Sequence, residues 1–449
     1  MANTKAIQTY TLHILLAVLG LFIVITQSLA SNQPSPSPAL TLASLQLKPV
    51  TQENTLFHVQ VIPEISLDIY VPATANDHYK LPVVYVMDGQ HYLHNAIGYQ
   101  TALRAGISDM NISPEFIVVG INTTKLVEQD TRNAVLNDQP DALADLLATQ
   151  IVPYVEHHFP ASPHRLYFGW QFGAMFGLTL FNQYPALMNG YLLASGPYYS
   201  QAQIAATKKI LATRDDINPY FYLSLGKMER HAIDGHKALT EAFEQAEATN
   251  VTWKYNYFDR FSFRYDHFTT PLDTLTNGLE WYFADYADLV FYSVSDLKSF
   301  GGVEAVKQYF KNRASRYNIS PKVGDVALFT MYRHAVEEDN LSLFQQLEQS
   351  LGKYEVTGWY HFFARFFLKH DMVERAIHTY LSGIAKKPGE FLYFAALAEI
   401  YQQQGKYKTA LRYYNDALQR VDADSKEATS YREEIANLNH QLSERGNTP

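Results

Sequence analysis

The chain has no cysteine among its 449 residues. That excludes disulfides, thiolate metal sites and a lipid-modified N-terminal cysteine, while leaving the compartment open. Charge is sparse as well. Only 18% of residues are charged, with 36 Lys and Arg against 45 Asp and Glu, and no long basic run occurs. A nucleic-acid backbone would find little to grip, so no nucleic-acid partner is expected. The sixteen histidines include His157-His158 and the pair His91 and His94, but no H-E-x-x-H or carboxylate cluster accompanies them. Surface and helix-terminus roles suit them better than ligation, and neither a metal nor a cofactor is expected.

Apolar residues are plentiful: 47% of the chain is hydrophobic and 14% aromatic. Such a chain buries a large core and is too long for one ordinary domain. Near its start Lys5 precedes an apolar run from Leu12 to Ile25, and the small-x-small triplet Ser28-Leu29-Ala30 follows. This is a signal-peptide pattern over residues 1–30, with an uncleaved membrane anchor as the alternative. Either way the remainder is expected to be exported, periplasmic or extracellular, touching a membrane only through that segment if it is retained. Three prolines and three serines between Ser31 and Ala39 read as a flexible spacer, taken to residue 49.

Between residues 50 and 288 the pattern is α/β. Phe57 to Val61 and Ser66 to Val71 alternate apolar and polar residues, as antiparallel edge strands with one solvated face do. Later strands, such as Val83 to Met87 and Phe116 to Asn122, are continuous apolar runs, expected where helices cover both faces of a parallel sheet. In such an open sheet the functional loops lie at the carboxyl ends of the strands.

One stretch carries the chemistry. Arg165 to Phe168 runs as a strand into Gly169-Trp170-Gln171-Phe172-Gly173, and an amphipathic helical pattern continues to Tyr184-Pro185. Strand, sharp turn and helix make a nucleophile elbow, G-x-S-x-G. Gly169 and Gly173 fit its strained, crowded geometry. The central position should be serine and is Gln171, whose amide cannot ionise near neutral pH or form an acyl-enzyme.

Around the elbow stand Asp88-Gly89 after a buried strand, the segment Ile151 to Phe159, Gly190 to Pro197, Tyr222 to Gly226 followed by Glu229, and then His267. In this order and spacing, residues 50–285 resemble the α/β-hydrolase family that includes esterase D and the enterochelin (ferric-siderophore) esterases. The resemblance implies an open, mainly parallel sheet covered by helices, and a serine esterase site. It implies that His267 is the triad histidine and Glu229 its acid, with Asp266 and Asp259 as nearby rivals. Backbone N–H groups of Gln90 and Phe172 would form the oxyanion hole, while Asp88, Trp170 and Arg132 would line the pocket. Asp88 also reads as a turn cap, and His267 as an ordinary helix-entry histidine. Three departures from the family stand out: Gln171 for the serine, Asn133 for an aspartate, and Trp170 for the usual histidine. Ser195 matches a structural Ser-Pro turn, so its hydroxyl is expected to cap that turn.

From residue 289 to 446 the strand signals stop. Tyr360, Phe363, Ala364, Phe367, Ala376 and Tyr380 recur as Phe394, Leu397, Ala398, Tyr401, Ala410 and Tyr414 at a constant offset of 34. Period and residue sizes match the tetratricopeptide (TPR) repeat, a pair of antiparallel helices. Asp325 to Leu351 reads as a degenerate further unit, and Ser425 to Gly446 as a solvated capping helix. Such arrays take extended peptides on their concave face, so a protein partner is expected.

Three functions follow. A non-catalytic hydrolase relative would bind a small ester-type ligand and, through its tail, a protein. An active carboxylic-ester hydrolase would use an unrecognised nucleophile. A TPR scaffold would use the hydrolase domain as mere support.

Overall fold

The computed structural model describes residues 47–49, 56–75, 80–104, 112–123, 132–245, 250–259, 266–317 and 319–446. The signal or anchor segment and most of the spacer lie outside the described residues.

The described strands are β1 (Leu47–Pro49), β2 (Leu56–Ile62), β3 (Ile65–Tyr70), β4 (Leu81–Met87), β5 (Ile117–Asn122), β6 (Ala161–Trp170), β7 (Gly190–Ala194), β8 (Tyr220–Gly226) and β9 (Thr252–Phe258). They form one sheet in the order β1-β2-β3-β5-β4-β6-β7-β8-β9. The strands from β5 through β9 pair in parallel, and β1, β2 and β3 add an antiparallel side. Two sequence expectations change here. Leu47–Pro49, read as the end of the spacer, is a strand, and it makes β2 an inner strand rather than an edge. The extra ladder satisfies N–H and C=O groups that an edge leaves open.

Continuous apolar strands imply two covered faces. In β4, Val83, Tyr85 and Met87 enter one core while Val84 and Val86 enter the other. Helices α1 (Gly89–Arg104) and α7 (Asp266–Tyr282) cover the second face. The first is covered by α2 (Pro140–Leu146), α3 (Val152–His158), α4 (Phe172–Gln183), α5 (Gln201–Thr213) and α6 (Ile233–Gln245).

Helices alone follow among the described residues: α8 (Val294–Phe300), α9 (Gly302–Tyr317), α10 (Asp325–Glu337), α11 (Leu341–Leu351), α12 (Tyr360–Lys369), α13 (Val373–Lys386), α14 (Phe391–Gln403), α15 (Tyr407–Leu418) and α16 (Lys426–Gly446). The repeating positions Ala364, Ala376, Ala398 and Ala410 are all fully buried, so paired helices approach closely where the small residues recur. Gly383 extends the same logic, since a Cβ there would lie 2.9 Å from the Tyr393 ring and 3.0 Å from the Tyr360 ring.

The helical region meets the sheet at the starting ends of the strands. Arg316 of α9 donates to Asp285 at 2.6 Å and to the Tyr282 carbonyl at 3.0 Å, and it lies 4.7 Å over the Tyr220 ring at the start of β8. Tyr317 donates to Asp285 at 2.6 Å. His164, near the start of β6, hydrogen-bonds the Tyr282 hydroxyl at 2.7 Å. Burial pushes its imidazole down to about 4, helped by the Arg316 charge.

Candidate active site

The opposite, carboxyl ends of the strands hold the chemistry. β6 ends at Trp170, α4 begins at Phe172, and Gln171 between them has φ 53 and ψ −117. A side chain in that backbone region is strained, and the surrounding packing has to hold it there. The two glycines permit it. A Cβ on Gly169 would collide with the Gly173 carbonyl, and one on Gly173 would press on Met87 of β4. The Tyr167 hydroxyl donates to the same Gly173 carbonyl at 2.7 Å, and the Gln171 N–H donates to Ala194 of β7 at 2.9 Å. The backbone is thus a nucleophile elbow in full.

Its side chain is engaged. The Gln171 amide nitrogen meets His267 Nε2, and His267 Nδ1 meets Glu229 Oε1. Proton roles follow from the chemistry of the partners. A carboxylate can only accept, so Nδ1 carries the hydrogen; Nε2 is then an acceptor, and the amide N–H donates to it. Gln171 thereby occupies the donor position that a serine hydroxyl would take. The helix α7 begins at Asp266 rather than near Thr270, which places His267 in its first turn. An acidic residue in that turn complements the helix dipole.

Glu229 is nearly fully buried. Its Oε2 accepts from the Gly226 N–H at 2.6 Å and from the Ser195 hydroxyl at 2.8 Å. Burial works to raise its carboxyl. The hydrogen bonds from His267, Gly226 and Ser195, with the His267 charge, outweigh that and hold it below the usual range. Ser195 is therefore a correction: its hydroxyl serves Glu229 rather than capping its own turn. The residue sits at φ 53 after β7, and that conformation aims the hydroxyl across to the β8 loop. Of the rival acids, Asp259 pairs with Lys227 at 2.5 Å, and Asp266 makes no contact with His267 Nδ1 among those described.

A second buried pair stands beside the elbow. Asp88, fully buried at φ 57 after β4, accepts from Arg132 Nε at 2.8 Å and Nη2 at 2.7 Å, and from the Thr123 hydroxyl at 2.5 Å. Arg132 also donates to the Trp170 carbonyl at 3.2 Å, and its guanidinium lies 5.6 Å from the Trp170 ring. The bidentate pair ties the β4 loop to the residue before the elbow. Thr123 was not singled out in the sequence, because nothing local marks a threonine that closes a pair 35 residues away. Asn133 is exposed.

The Trp170 ring lies 4.9 Å from the His267 ring and 6.0 Å from Phe268, which is 65% exposed. Gln90 is the second residue of α1 and accepts from the Thr123 N–H at 3.3 Å. Phe172 opens α4, where a first-turn N–H has no intrahelical partner.

Residues 62–259 match the family model described as "Putative esterase". The esterase-type segment so defined takes in Asp88, Arg132, the elbow and Glu229, and ends before His267. The uncharacterized protein YjcH of Bacillus subtilis (strain 168) is 23% identical over 192 residues, covering 41% of this chain and 77% of that protein. Two solved structures are similar at low identity. An IroE-like serine hydrolase from Shewanella oneidensis is 15% identical with a TM-score of 0.47, over 64% of this chain and 93% of that one. Siderophore hydrolase EstA from Aspergillus nidulans is 12% identical with a TM-score of 0.41, over 56% and 98%.

Proposed function

We propose that the esterase-type segment has lost serine-type hydrolysis and binds a small carbonyl-bearing ligand without cleaving it. The observation that carries this reading is Gln171 at the elbow, its amide given to His267 Nε2. Without a nucleophile no acyl-enzyme forms, and loss of the serine from a triad costs on the order of a millionfold in turnover. What survives is binding, since first-turn N–H groups and aromatic walls do not depend on the missing hydroxyl. The test is a fluorophosphonate probe and a small aryl ester. The expected result is no labelled serine and no hydrolysis above buffer. Hydrolysis that disappears in His267→Ala would overturn the reading.

One observation favours the rival, active esterase: Glu229, His267 and Ser195 keep a complete hydrogen-bonded chain, which could pass a proton from water. The same assay separates the two.

The helical region is proposed as a TPR-type array that holds a protein partner. Its groove of about 690 Å³, lined by Trp359, Phe362, Arg365 and Tyr393, is the place for an extended peptide. Pull-down with the full chain, compared with Trp359→Ala, tests it, and unchanged capture counts against the groove. Export rests on the sequence of residues 1–30; N-terminal sequencing of the processed protein near Ser31 is its test.

A further inference from the structure

The side chain that replaced the nucleophile has more hydrogen-bonding capacity than it spends on His267. A serine hydroxyl at the elbow would give its one hydrogen to Nε2. Gln171 gives one amide hydrogen and retains a second, together with a carbonyl oxygen that accepts from none of the described residues. It does not cap α4, whose first N–H belongs to the adjoining Phe172. Two consecutive residues at the head of α4 therefore offer donor, acceptor and donor: the Gln171 N–H, the Gln171 C=O and the Phe172 N–H. Beside them stands the aromatic wall of Trp170 and the largely exposed Phe268.

We propose that this site selects amides over the matching esters, taking an N-aryl or N-alkyl carboxamide whose carbonyl faces the two N–H groups and whose N–H faces the Gln171 carbonyl. The inference rests on the loss of hydrolysis proposed above and adds the class of ligand. An ester can fill the donors but has no hydrogen for the Gln171 oxygen. Covering that acceptor without a partner carries a desolvation penalty, equivalent to about ten- to a hundredfold in affinity. A hydrolase site built around serine has no such acceptor and no such reason to discriminate. The flat apolar wall accounts for the group attached to the amide, since ring faces offset or edge-on to Trp170 add contact area with little ordering cost.

The experiment uses the full chain and the matched pair N-phenylbutanamide and phenyl butanoate, titrated by ligand-observed NMR, with phenol release followed in the same ester sample. The wild type is expected to bind the amide at least about tenfold more tightly than the ester. Gln171→Met keeps the length and loses every polar atom, and should abolish the preference while the melting temperature stays close to native. Gln171→Ser restores a hydroxyl donor without a carbonyl and should abolish it too, which guards against a misfolded methionine variant. Equal affinities, a preference that survives both variants, or no binding of either compound up to its solubility would overturn the amide inference. Those results without phenol leave the loss-of-hydrolysis reading standing. Phenol released by the wild type overturns both.

Discussion

At the scale of single residues, the site is a chain of hydrogen bonds whose direction is set at the buried end. Glu229 can only accept, so His267 and Ser195 must donate to it and Gln171 must donate to His267. Two outcomes follow. Ser195→Ala leaves a nearly buried carboxylate with one donor fewer, and should lower stability by about 1.5–3 kcal/mol, read as a shift in the denaturant midpoint. A shift within error would mean that solvent replaces the hydroxyl. The second outcome concerns pH. The folded Glu229 carboxyl is held below its ordinary value, so its stabilising contribution is present above the unfolded value, near 4.3, and is lost as pH falls through the folded one. The melting-temperature gap between wild type and Glu229→Gln should therefore narrow between pH 6 and pH 3. A gap that widens would contradict the direction of the shift.

At the scale of elements, the elbow was legible because its physics is local: a strand, two glycines that a Cβ would ruin, and a helix, all within one short stretch. His267 and Glu229 were legible only through the order of elements around them. Ser195 and Thr123 were not, because each acts on a partner brought close by the sheet, 34 and 35 residues away in sequence. The strand β1 was hidden as well. Its neighbourhood is rich in polar and proline residues, and its pairing with β2 has no local signature. In the helical region the offset of 34 is carried by small buried positions, which repeat, whereas α8 and α9 lack that pattern and were not individually foreseen. Gly383 is the small position with the least room. Gly383→Val would drive a branched side chain into the Tyr393 and Tyr360 rings, and overpacking of this kind costs about 1–3 kcal/mol. Loss of helical circular dichroism at a lower temperature than wild type is the expected readout; an unchanged melt would mean that α12, α13 and α14 separate more easily than their packing implies.

At the scale of the whole molecule, the two cores are distinct. The helical core runs from Phe291 to Leu438 and shares no buried residue with those of the sheet. Two unfolding steps are expected in calorimetry, since separate cores need not melt together. Arg316 is the main tie between them. Breaking it with Arg316→Ala should cost about 2–3 kcal/mol, less than the 3–5 kcal/mol of a fully buried pair, because Asp285 is 41% exposed. Limited proteolysis between residues 284 and 301 should then run faster than in wild type. Unchanged cleavage would place the tie elsewhere.

That tie also fixes a direction. His164 and Tyr220 stand where their strands begin, and Gln171 follows the end of β6, so the joint and the elbow are separated by roughly 20 Å of strand at about 3.3 Å per residue. The helices leave the mouth of the elbow uncovered from that side. A protein held by the helical groove and a small molecule held at the elbow would occupy opposite ends of one body, neither displacing the other. The chain would then serve as a bridge, raising the local concentration of one guest around the other without any contact between them.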